Sequence, residues 1–483
     1  MFIGRERELD FLEDQYNGEN GKLVFLYGRR RVGKTETLKQ FSKDKPHVLF
    51  SCAQKTNEML LAEFSSKMLK ENLPASNYIS MFKDWDQALA SIADLPYGDK
   101  KKLVIIDEFP YLCKVNNSVP SILQNLWDNN LKDKNVMLVL CGSAMSFIEK
   151  EILAEKNPLY GRATGIYKMD ELSFQETAKF FPNYSPEEKV LTYSILGGIP
   201  HYLIQFDSKL SLEENIKQKI LTKGCILYSE VEFILHQELR ETSVYNVIIQ
   251  AIALGANSLS EISQKSLLND TAKTSTYLSN LEELGIISRE FSIDTSQKGK
   301  GNRNKGYYCI KDSFFRFWYA FVDTNLSDLE DGYVDDVYEY DIKGVLHNYA
   351  SSAFENVCKS FIKEQRAKKN LPFRYKSMGR WFGKTSVRDI SSPTGIRKAE
   401  TEVDILAISE DKKKYLVGEC KFKNKLFQYS EYLDTIAKFA DEQKNAEFFY
   451  ALFSLTGFDS KIIEKAKEDN HLMLFDIDSV VGK

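Results

Sequence analysis

The chain has 483 residues, more than one hydrophobic core normally accommodates, so about three domains are expected. Apolar residues make up 43% and charged residues 28%, as in ordinary globular proteins, and a formal net charge of −4 excludes a uniformly basic nucleic-acid coat. The seven cysteines are scattered, with no C-x-x-C pair and no cluster of cysteines with histidines. This distribution of cysteines favours a reducing cellular compartment and argues against a structural zinc site.

Neither a leader nor a membrane span is predicted. The first eight residues, Met-Phe-Ile-Gly-Arg-Glu-Arg-Glu, lack the apolar core of a signal peptide. No stretch approaches the roughly 18 uninterrupted apolar residues that a transmembrane helix requires. The expected location is the cytoplasm, with no membrane partner.

A phosphate-binding loop is predicted after an apolar strand at residues 23–27 and before a helix that begins near Lys34. Gly28 and Gly33 let backbone amides curl round a phosphate chain, and the helix N-terminus adds partial positive charge. Lys34 reaches the β- and γ-phosphates, and the Thr35 hydroxyl holds Mg²⁺. ATP and Mg²⁺ are therefore the expected cofactors, against the alternative of a glycine turn with no ligand. The predicted nucleotide-binding residues are Gly28, Arg29, Arg30, Arg31, Val32, Gly33, Lys34, Thr35 and Glu36.

Acidic and polar residues follow two later apolar strands. Residues 103–106 end at Asp107 and Glu108, where ligands bind in open α/β sheets. Asp107 is expected to hold Mg²⁺ through water, and Glu108 to polarise the attacking water. The alternative is a strand end with solvated acids. The strand at residues 136–141 ends before Ser143, a candidate sensor of the γ-phosphate.

Arg162 is a candidate arginine finger that neutralises the transition state, in cis or from a neighbouring subunit. A finger between subunits would require at least a dimer, so a homo-oligomer is considered. The alternative is an ordinary surface arginine. Beyond it, residues 186–240 have helical spacing and are expected to form a lid that contains Gly197-Gly198-Ile199-Pro200.

These motifs, in this order and together with the N-terminal Gly4-Arg5-Glu6, resemble the archaeal-type AAA+ ATPases near the signal-transducing STAND branch. The resemblance covers about residues 1 to 240 and implies an αβα core with a helical lid. It also implies that Ile3 and Gly4 border the adenine, together with Pro200 from the lid. No sensor-2 arginine is recognisable.

Residues 243–325 have the winged-helix pattern of three helices and a hairpin. The helices are expected at residues 243–254, from Ser258 as N-cap, and at 271–284, and the strands at 286–293 and 307–310. A major-groove contact with double-stranded DNA is one interpretation, and a hinge or protein dock is the other. The outward-facing residues of the third helix are predicted to be Lys273, Thr274 and Thr276. The basic residues of the hairpin tip are Lys298, Lys300, Arg303 and Lys305.

An aromatic run and an acidic run follow. Residues 312–321 are aromatic on all sides, which favours a buried connector over a base-stacking platform. Residues 328–341 contain seven acids with no apolar period, so a linker and a domain boundary are expected there.

The C-terminal part is predicted to be an α/β domain. A helix at residues 345–363 carries Glu355, and strands at 402–408 and 414–422 carry Asp404 and Glu419 with Lys421. Asp404 and Glu419 form a two-carboxylate seat for Mg²⁺, and Lys421 orients or activates the water that attacks a phosphodiester. The alternative is a solvated acid–lysine hairpin.

The arrangement D-x(14)-E-x-K behind a helix glutamate resembles the PD-(D/E)xK restriction-endonuclease-like superfamily. It also resembles the C-terminal domain often fused to this ATPase. The matching residues are Glu355, Asp404, Glu419 and Lys421; Gly379-Arg380-Trp381-Phe382-Gly383-Lys384 looks family-like without a derivable role. The domains are thus an AAA+ core (1–180), a helical lid (181–242), a winged helix (243–325), an acidic linker (326–344) and a nuclease-like domain (345–483).

The leading hypothesis is a nucleotide-driven switch that acts on DNA through the winged helix and the nuclease-like domain. A STAND-type regulatory scaffold, in which the C-terminal domain only docks nucleic acid or protein, is the alternative from another class. A plain ATPase with an inactive tail is the third.

Overall fold

The structure is a computed structural model that describes residues 2–293, 306–388, 396–438 and 446–482. The chain divides into two compact units. The first unit comprises Met1–Leu172 with Ile199–His201, and the second comprises Ser173–Gly198 with Tyr202–Lys483.

The first unit is built on a five-stranded parallel sheet. Its strands are β1 (Lys22–Tyr27), β2 (His47–Ser51), β3 (Lys102–Asp107), β4 (Val136–Gly142) and β5 (Gly165–Lys168). Their order across the sheet is β2-β3-β4-β1-β5. Because β1, β3 and β4 are buried along almost their whole length, they read in the sequence as continuous apolar runs. The predicted parallel α/β core is therefore confirmed, with β5 as a strand that the sequence analysis did not find.

Seven helices surround this sheet in the described part of the first unit. They are α1 (Glu6–Asn17), α2 (Lys34–Ser42), α3 (Asn57–Leu69), α4 (Trp85–Ala90), α5 (Phe109–Val115), α6 (Val119–Leu126) and α7 (Met145–Phe147). The central strand β4 pairs in parallel with both β1 and β3. The carboxyl ends of these three strands therefore lie at the same edge of the sheet. The loop after β1, the acids after β3 and the serine after β4 therefore meet at one edge of the sheet.

The second unit begins with helices. They are α8 (Phe174–Ala178), α9 (Pro186–Leu196), α10 (Pro200–Leu203, whose first two residues belong to the first unit), α11 (Leu212–Asn215) and α12 (Ile226–Glu238). Capping boxes at Ser185 and Ser211, each with a glutamate three residues on, define two of the helix starts. The predicted helical character of residues 186–240 is confirmed.

Three helices and a two-stranded antiparallel hairpin come next. They are α13 (Thr242–Ala253), α14 (Leu259–Lys265), α15 (Thr271–Glu283), β6 (Ile287–Phe291) and β7 (Gly306–Ile310). The predicted capping box is present, because Ser258 Oγ accepts from the Glu261 amide while the Glu261 side chain accepts from the Ser258 amide. The order of elements is therefore the predicted one.

The aromatic run is buried, as predicted, and the acidic run is not an unstructured linker. Helix α16 (Ser313–Phe317) continues through residues 318–322, and Trp318 Nε1 donates to the Tyr228 carbonyl at 2.8 Å. Residues 326–344 are mostly helical, with α17 (Leu326–Glu330) and α18 (Val334–Asp336). Their buried residues are Leu329, Val337, Tyr338 and Ile342. The sequence pattern of these apolar side chains is difficult to recognise because many acidic residues, which face solvent, lie between them.

The C-terminal part is a mixed five-stranded sheet in the order β12-β11-β10-β9-β8. Its strands are β8 (Tyr375–Arg388), β9 (Ile396–Ser409), β10 (Lys414–Lys421), β11 (Glu447–Ser454) and β12 (Leu472–Asp476). Its helices are α19 (Leu346–Ala367), α20 (Tyr429–Ala437), α21 (Ser460–Glu468) and α22 (Ile477–Val481). Strands β8, β9 and β10 are antiparallel neighbours, whereas β10, β11 and β12 are parallel. The predicted α/β domain is confirmed at this level, and β8 is an additional edge strand.

None of the described helices combines the length and the hydropathy of a membrane-spanning segment.

Candidate functional sites

The loop between β1 and α2 is shaped by its two glycines. A Cβ added at Gly28 would lie 2.3 Å from the Met169 carbonyl oxygen, so no side chain fits there. Gly33 precedes α2 with a φ of 91°, a left-handed conformation that glycine adopts without strain. Lys34 follows, and its Nζ donates to the carbonyl oxygens of Gly28 at 2.8 Å and Arg29 at 2.9 Å. An ammonium group has three N–H donors, so a further bond to a phosphate oxygen fits its capacity.

The residues after β1, β3 and β4 form one hydrogen-bonded group. The Thr35 hydroxyl donates to Asp107 Oδ2 at 2.6 Å, and the Glu108 amide donates to Asp107 Oδ1 at 3.0 Å. The Ser143 hydroxyl donates to Glu108 Oε2 at 2.9 Å. Burial lowers the pKa of Lys34, while the carboxylates of Glu108 and Asp107 act in the opposite direction. The structure thus brings together the side chains that the sequence analysis assigned to Mg²⁺, water and γ-phosphate.

Arg5 connects the N-terminal motif to the phosphate loop. Its guanidinium donates to the Val32 carbonyl at 2.7 Å, to the Asp170 carbonyl at 2.8 Å and to Glu8 Oε1 at 2.7 Å. The residue is only 4% exposed and adopts a left-handed φ of 71°. This buried arginine ties the start of α1 to the loop, a role the sequence analysis did not assign.

Pro200 lies beside the loop, and its predicted contact with the adenine stays a prediction. Its Cγ is 3.7 Å from where a Cβ on Gly33 would stand. The adjacent His201 is partly buried, and burial, with a smaller effect of Arg31, lowers its pKa to about 4. Ile3 and Gly4 are partly exposed and lead directly into Arg5.

The other loop residues differ in their surroundings. Arg30 donates to the Tyr111 hydroxyl at 2.9 Å. Glu36 forms an ion pair with Lys39 at 2.7 Å on the exposed face of α2, so its carboxylate faces solvent. Arg31 has a φ of 71°, which makes the loop turn before Gly33.

Arg162 is bound within its own chain. Its guanidinium donates from Nε and Nη2 to the Asp128 carboxylate, with distances of 3.0 and 2.8 Å, and from Nη1 to the Pro158 carbonyl at 2.9 Å. This bidentate ion pair orients the side chain. The side chain keeps 28% of its surface exposed.

The predicted carboxylates of the C-terminal sheet converge. Asp404 Oδ2 accepts from the Cys420 amide at 2.9 Å, which places it beside Glu419 across the β9–β10 ladder. Glu419 is 4% exposed. Burial and the neighbouring Glu419 raise the pKa of Asp404, and burial and Asp404 raise the pKa of Glu355 to about 7. Asp404 on β9 thus interacts with both Glu355 on α19 and Glu419 on β10, and these three acids are defined here as the carboxylate cluster. Among the residues that the structure describes, no three acid, histidine or cysteine side chains are spaced to hold a metal ion together.

Four cations of the described residues lie around the carboxylate cluster, and the sequence analysis assigned a role only to Lys421. Lys359 Nζ is 4.0 Å from Glu355 Oε2 on the same helix. Lys421 Nζ donates to Glu419 Oε1 at 2.7 Å, and Lys438, which follows α20, donates to Glu419 Oε2 at 2.8 Å. Arg380 on β8 pairs with Glu402 at 2.8 Å. The glycine-rich Gly379–Lys384 stretch was the available signal for Arg380. Lys438 carries no motif, because only the packing of α20 brings it to β10.

The predicted nucleic-acid face of α15 requires one correction. Lys273 and Thr276 are exposed, as predicted, whereas Thr274 is fully buried and its hydroxyl donates to the Asp270 carbonyl at 2.6 Å. A helix repeats every 3.6 residues, so Thr274 falls on the same side as Tyr277, Leu278 and Leu281, the core residues of α15. The hairpin residues Lys298, Lys300, Arg303 and Lys305 lie outside the described residues.

Two family models match the chain. Residues 2–206 match a family described as an ATPase domain predominantly from Archaea. Residues 318–433 match a family, DUF234, of archaeal and bacterial proteins of unknown function. The resemblance to an archaeal-type ATPase with its usual C-terminal companion is therefore confirmed, although the second family begins before the predicted boundary at residue 345.

Two solved structures resemble this chain at low sequence identity. The Walker-type ATPase paby2304 of Pyrococcus abyssi is 21% identical, with a TM-score of 0.49 over 66% of this chain and 96% of that one. The ORC2 protein of Aeropyrum pernix is 12% identical, with a TM-score of 0.43 over 70% of this chain and 95% of that one.

One sequence relative covers nearly the whole chain, and another covers less than half of it. The uncharacterized protein MJECL04 of Methanocaldococcus jannaschii is 31% identical over 99% of both chains. The uncharacterized ATP-binding protein PYRAB09480 of Pyrococcus abyssi is 25% identical over 42% of this chain and 71% of its own length. The chain therefore belongs to the family of MJECL04, and it is a P-loop ATPase of the archaeal type followed by a DUF234 domain.

Proposed function

We propose that the protein is a nucleotide-driven switch, in which Mg-ATP binding and hydrolysis in the first unit control the action of the second unit on DNA. The hydrogen bond of 2.6 Å between Thr35 and Asp107 carries the first half of this proposal. It places a hydroxyl and a carboxylate, both hard oxygen donors, at the N-terminus of α2, and this donor set fits Mg²⁺. When bound, the ion neutralises charge on the phosphates.

Each polar residue of the ATPase site has a distinct proposed role. Lys34 contacts the β- and γ-phosphates, Glu108 polarises the attacking water, and Ser143 positions Glu108 and senses the γ-phosphate. Pro200 borders the nucleotide together with Ile3 and Gly4. Arg162 acts as a finger only if Asp128 releases it, in cis or toward a neighbouring subunit of a homo-oligomer.

Two variants test the ATPase site. Lys34→Ala removes a charged hydrogen-bond donor, and we expect ATP affinity to fall about 10- to 100-fold. Glu108→Gln should bind ATP normally but hydrolyse it about 10²- to 10⁴-fold more slowly. Calorimetry measures the first and phosphate release the second. Normal hydrolysis by Glu108→Gln would remove Glu108 from the mechanism.

The carboxylate cluster carries the second half of the proposal. The cluster collects mutually repelling carboxylates in a mostly buried site, and a divalent cation relieves that repulsion. Asp404 and Glu419 would hold the ion, which stabilises the leaving oxygen when bound. Lys421 would orient the water that attacks a phosphodiester, and Glu355 would complete the site. These residues support a Mg²⁺-dependent nuclease of the PD-(D/E)xK type.

The arrangement of α13, α14, α15, β6 and β7 supports a winged helix. Lys273 and Thr276 on the exposed face of α15 would contact double-stranded DNA in the major groove, and the hairpin tip would contact phosphates. Charge reversal at Lys298, Lys300 and Arg303 should weaken DNA affinity and flatten its dependence on salt concentration. An unchanged salt slope would favour a hinge or a protein dock.

Plasmid nicking tests the nuclease proposal. Wild-type protein with Mg²⁺ or Mn²⁺ should nick supercoiled DNA, whereas Asp404→Ala and Lys421→Ala should not. The matched control is Glu468→Ala, which removes an exposed carboxylate from α21 of the same domain. Nicking that persists in both Asp404→Ala and Lys421→Ala would point to a contaminating nuclease.

A non-cleaving scaffold is the second candidate, and one observation favours it. Glu419 is already paired with both Lys421 and Lys438, as in a structural ion-pair network. Under this hypothesis the second unit binds nucleic acid or protein without cleaving it, and the nucleotide bound to the first unit controls that binding. The absence of cleavage under every nucleotide, metal and DNA condition, with ATP turnover intact, would select it.

A further inference from the structure

The segment that follows β6 pairs with the outer edge of β8. The Ile293 amide donates to the Arg380 carbonyl at 2.9 Å. The Ser292 hydroxyl accepts from the Phe382 amide and donates to the Phe382 carbonyl, both at 3.0 Å. Since β8 is the last strand of its sheet, these bonds satisfy backbone groups that would otherwise be an unpaired edge.

Apolar contacts strengthen this attachment. Ile293 packs against a buried cluster that contains Trp381 and Val403. The rings of Tyr307 and Phe382 lie 4.9 Å apart between centroids. The hairpin and the C-terminal sheet therefore share a core, and a displacement of β6 must strain β8.

Arg380 lies where the hairpin, β9 and the carboxylate cluster meet. Its Nη2 is 2.8 Å from Glu402 on β9, and its Nη1 is 3.7 Å from Glu290 on β6. The side chain is only 26% exposed, so its charge is poorly screened. Arg380 also lies at the irregularity of the β8–β9 ladder between the pairs Gly379–Leu406 and Trp381–Val403, which is the level of Asp404 on β9. At this level its charge acts on both Glu355 and Asp404.

We propose that Arg380 is a positioning residue through which the hairpin sets the divalent-cation affinity of the carboxylate cluster. This inference rests on the proposed function, because it requires Asp404 and Glu419 to hold such an ion. The positive charge of Arg380 opposes a second cation nearby, and the ion pair with Glu290 draws the guanidinium toward the hairpin and away from the cluster. A ligand that shifts β6 moves Glu290 and thereby weakens cation binding at the cluster.

A double-mutant cycle on Mn²⁺ binding tests the coupling in the full-length chain, without nucleotide. Calorimetry with Mn²⁺ alone measures the site, identified as the binding lost in Asp404→Asn. Glu290→Gln should weaken Mn²⁺ binding about two- to fivefold, the size typical of a partly exposed charge pair. Arg380→Gln should strengthen it by a similar factor. In the Arg380→Gln background Glu290→Gln should have no effect, whereas in Arg380→Lys its effect should persist.

The matched control is Glu468→Gln, which removes the same charge from a remote surface helix and should leave Mn²⁺ binding unchanged. Melting temperatures of all variants establish that they are folded. Equal effects of Glu290→Gln with and without Arg380 would overturn the coupling while leaving the metal site intact. Absence of any Asp404-dependent Mn²⁺ binding in the wild type would overturn the metal site, and this inference with it.

Discussion

The Ser143 hydroxyl and the Glu108 carboxylate are hydrogen-bonded at 2.9 Å, and the Ser143 amide reaches the same oxygen at 3.3 Å. The two residues are 35 positions apart, and they meet because β3 and β4 are parallel neighbours that end at one edge of the sheet. Glu108 itself adopts a left-handed φ of 52°. This backbone conformation is unfavourable for any residue with a side chain such as that of glutamate. Ser143 therefore holds Glu108 in place despite that strain.

We expect Ser143→Ala to lower the ATP turnover number about 10-fold or more while leaving ATP affinity nearly unchanged. The reason is the loss of a hydrogen bond to a charged acceptor, worth about 1.5–3 kcal/mol. Steady-state phosphate release and nucleotide titration measure the two quantities separately. Ser66→Ala, at an exposed position of α3, is the control. A turnover number equal to that of wild type would limit Ser143 to a structural contact.

Removal of Arg5 should destabilise the first unit. Arg5→Met leaves the buried Glu8 without this partner and removes the bonds that Arg5 donates to two carbonyl groups, and breaking such a pair typically costs about 3–5 kcal/mol. The melting temperature of the ATPase unit, followed by calorimetry, should fall. The double variant Arg5→Met/Glu8→Met should recover part of the loss, because no charge remains buried. Arg7→Met, two residues along the chain and exposed, should change little.

Lys438 should matter for the C-terminal domain although no motif marks it. Lys438→Met removes one of the two cations on the Glu419 carboxylate, which is almost fully buried. We expect a loss of about 1–3 kcal/mol in the free energy of unfolding of this domain. Urea denaturation measures it, with the exposed Lys425→Met as the control. An unchanged midpoint would mean that Lys421 alone balances the charge.

His201 should make the first unit acid-sensitive. Burial, with Arg31, lowers its pKa in the folded state to about 4 from an ordinary value near 6.5. The unfolded chain therefore binds the proton first as pH falls, so stability is intact above pH 6.5 and declines between about 6.5 and 4. His201→Gln should flatten the dependence of the melting temperature on pH in this window. The exposed His236→Gln should retain the wild-type slope.

The local pattern of the chain was sufficient to predict most of its secondary structure. Apolar runs identified β1, β3 and β4, and capping residues such as Ser258 located helix starts within a residue or two. The exceptions have physical causes. Strand β8 is a partly exposed edge with two register irregularities, so it lacks regular alternation. In residues 326–344 the apolar side chains are separated by many acidic residues, so their helical spacing was not recognised. Thr274 was predicted to face outward because it is polar, although its position in the helical repeat places it on the buried side.

The chemistry of the phosphate loop was predictable from the amino-acid sequence, because a loop that binds phosphate needs its glycines, lysine and threonine adjacent in the chain. The sequence also predicted that Asp107 and Glu108 lie at the end of a strand of the parallel sheet. The contacts of Arg5 with the loop, of Ser143 with Glu108, and of Lys438 and Arg380 around the carboxylate cluster became visible only in the folded chain. Local conformation depends on neighbours in sequence, whereas charge balance in a buried site depends on side chains that distant elements bring together through packing.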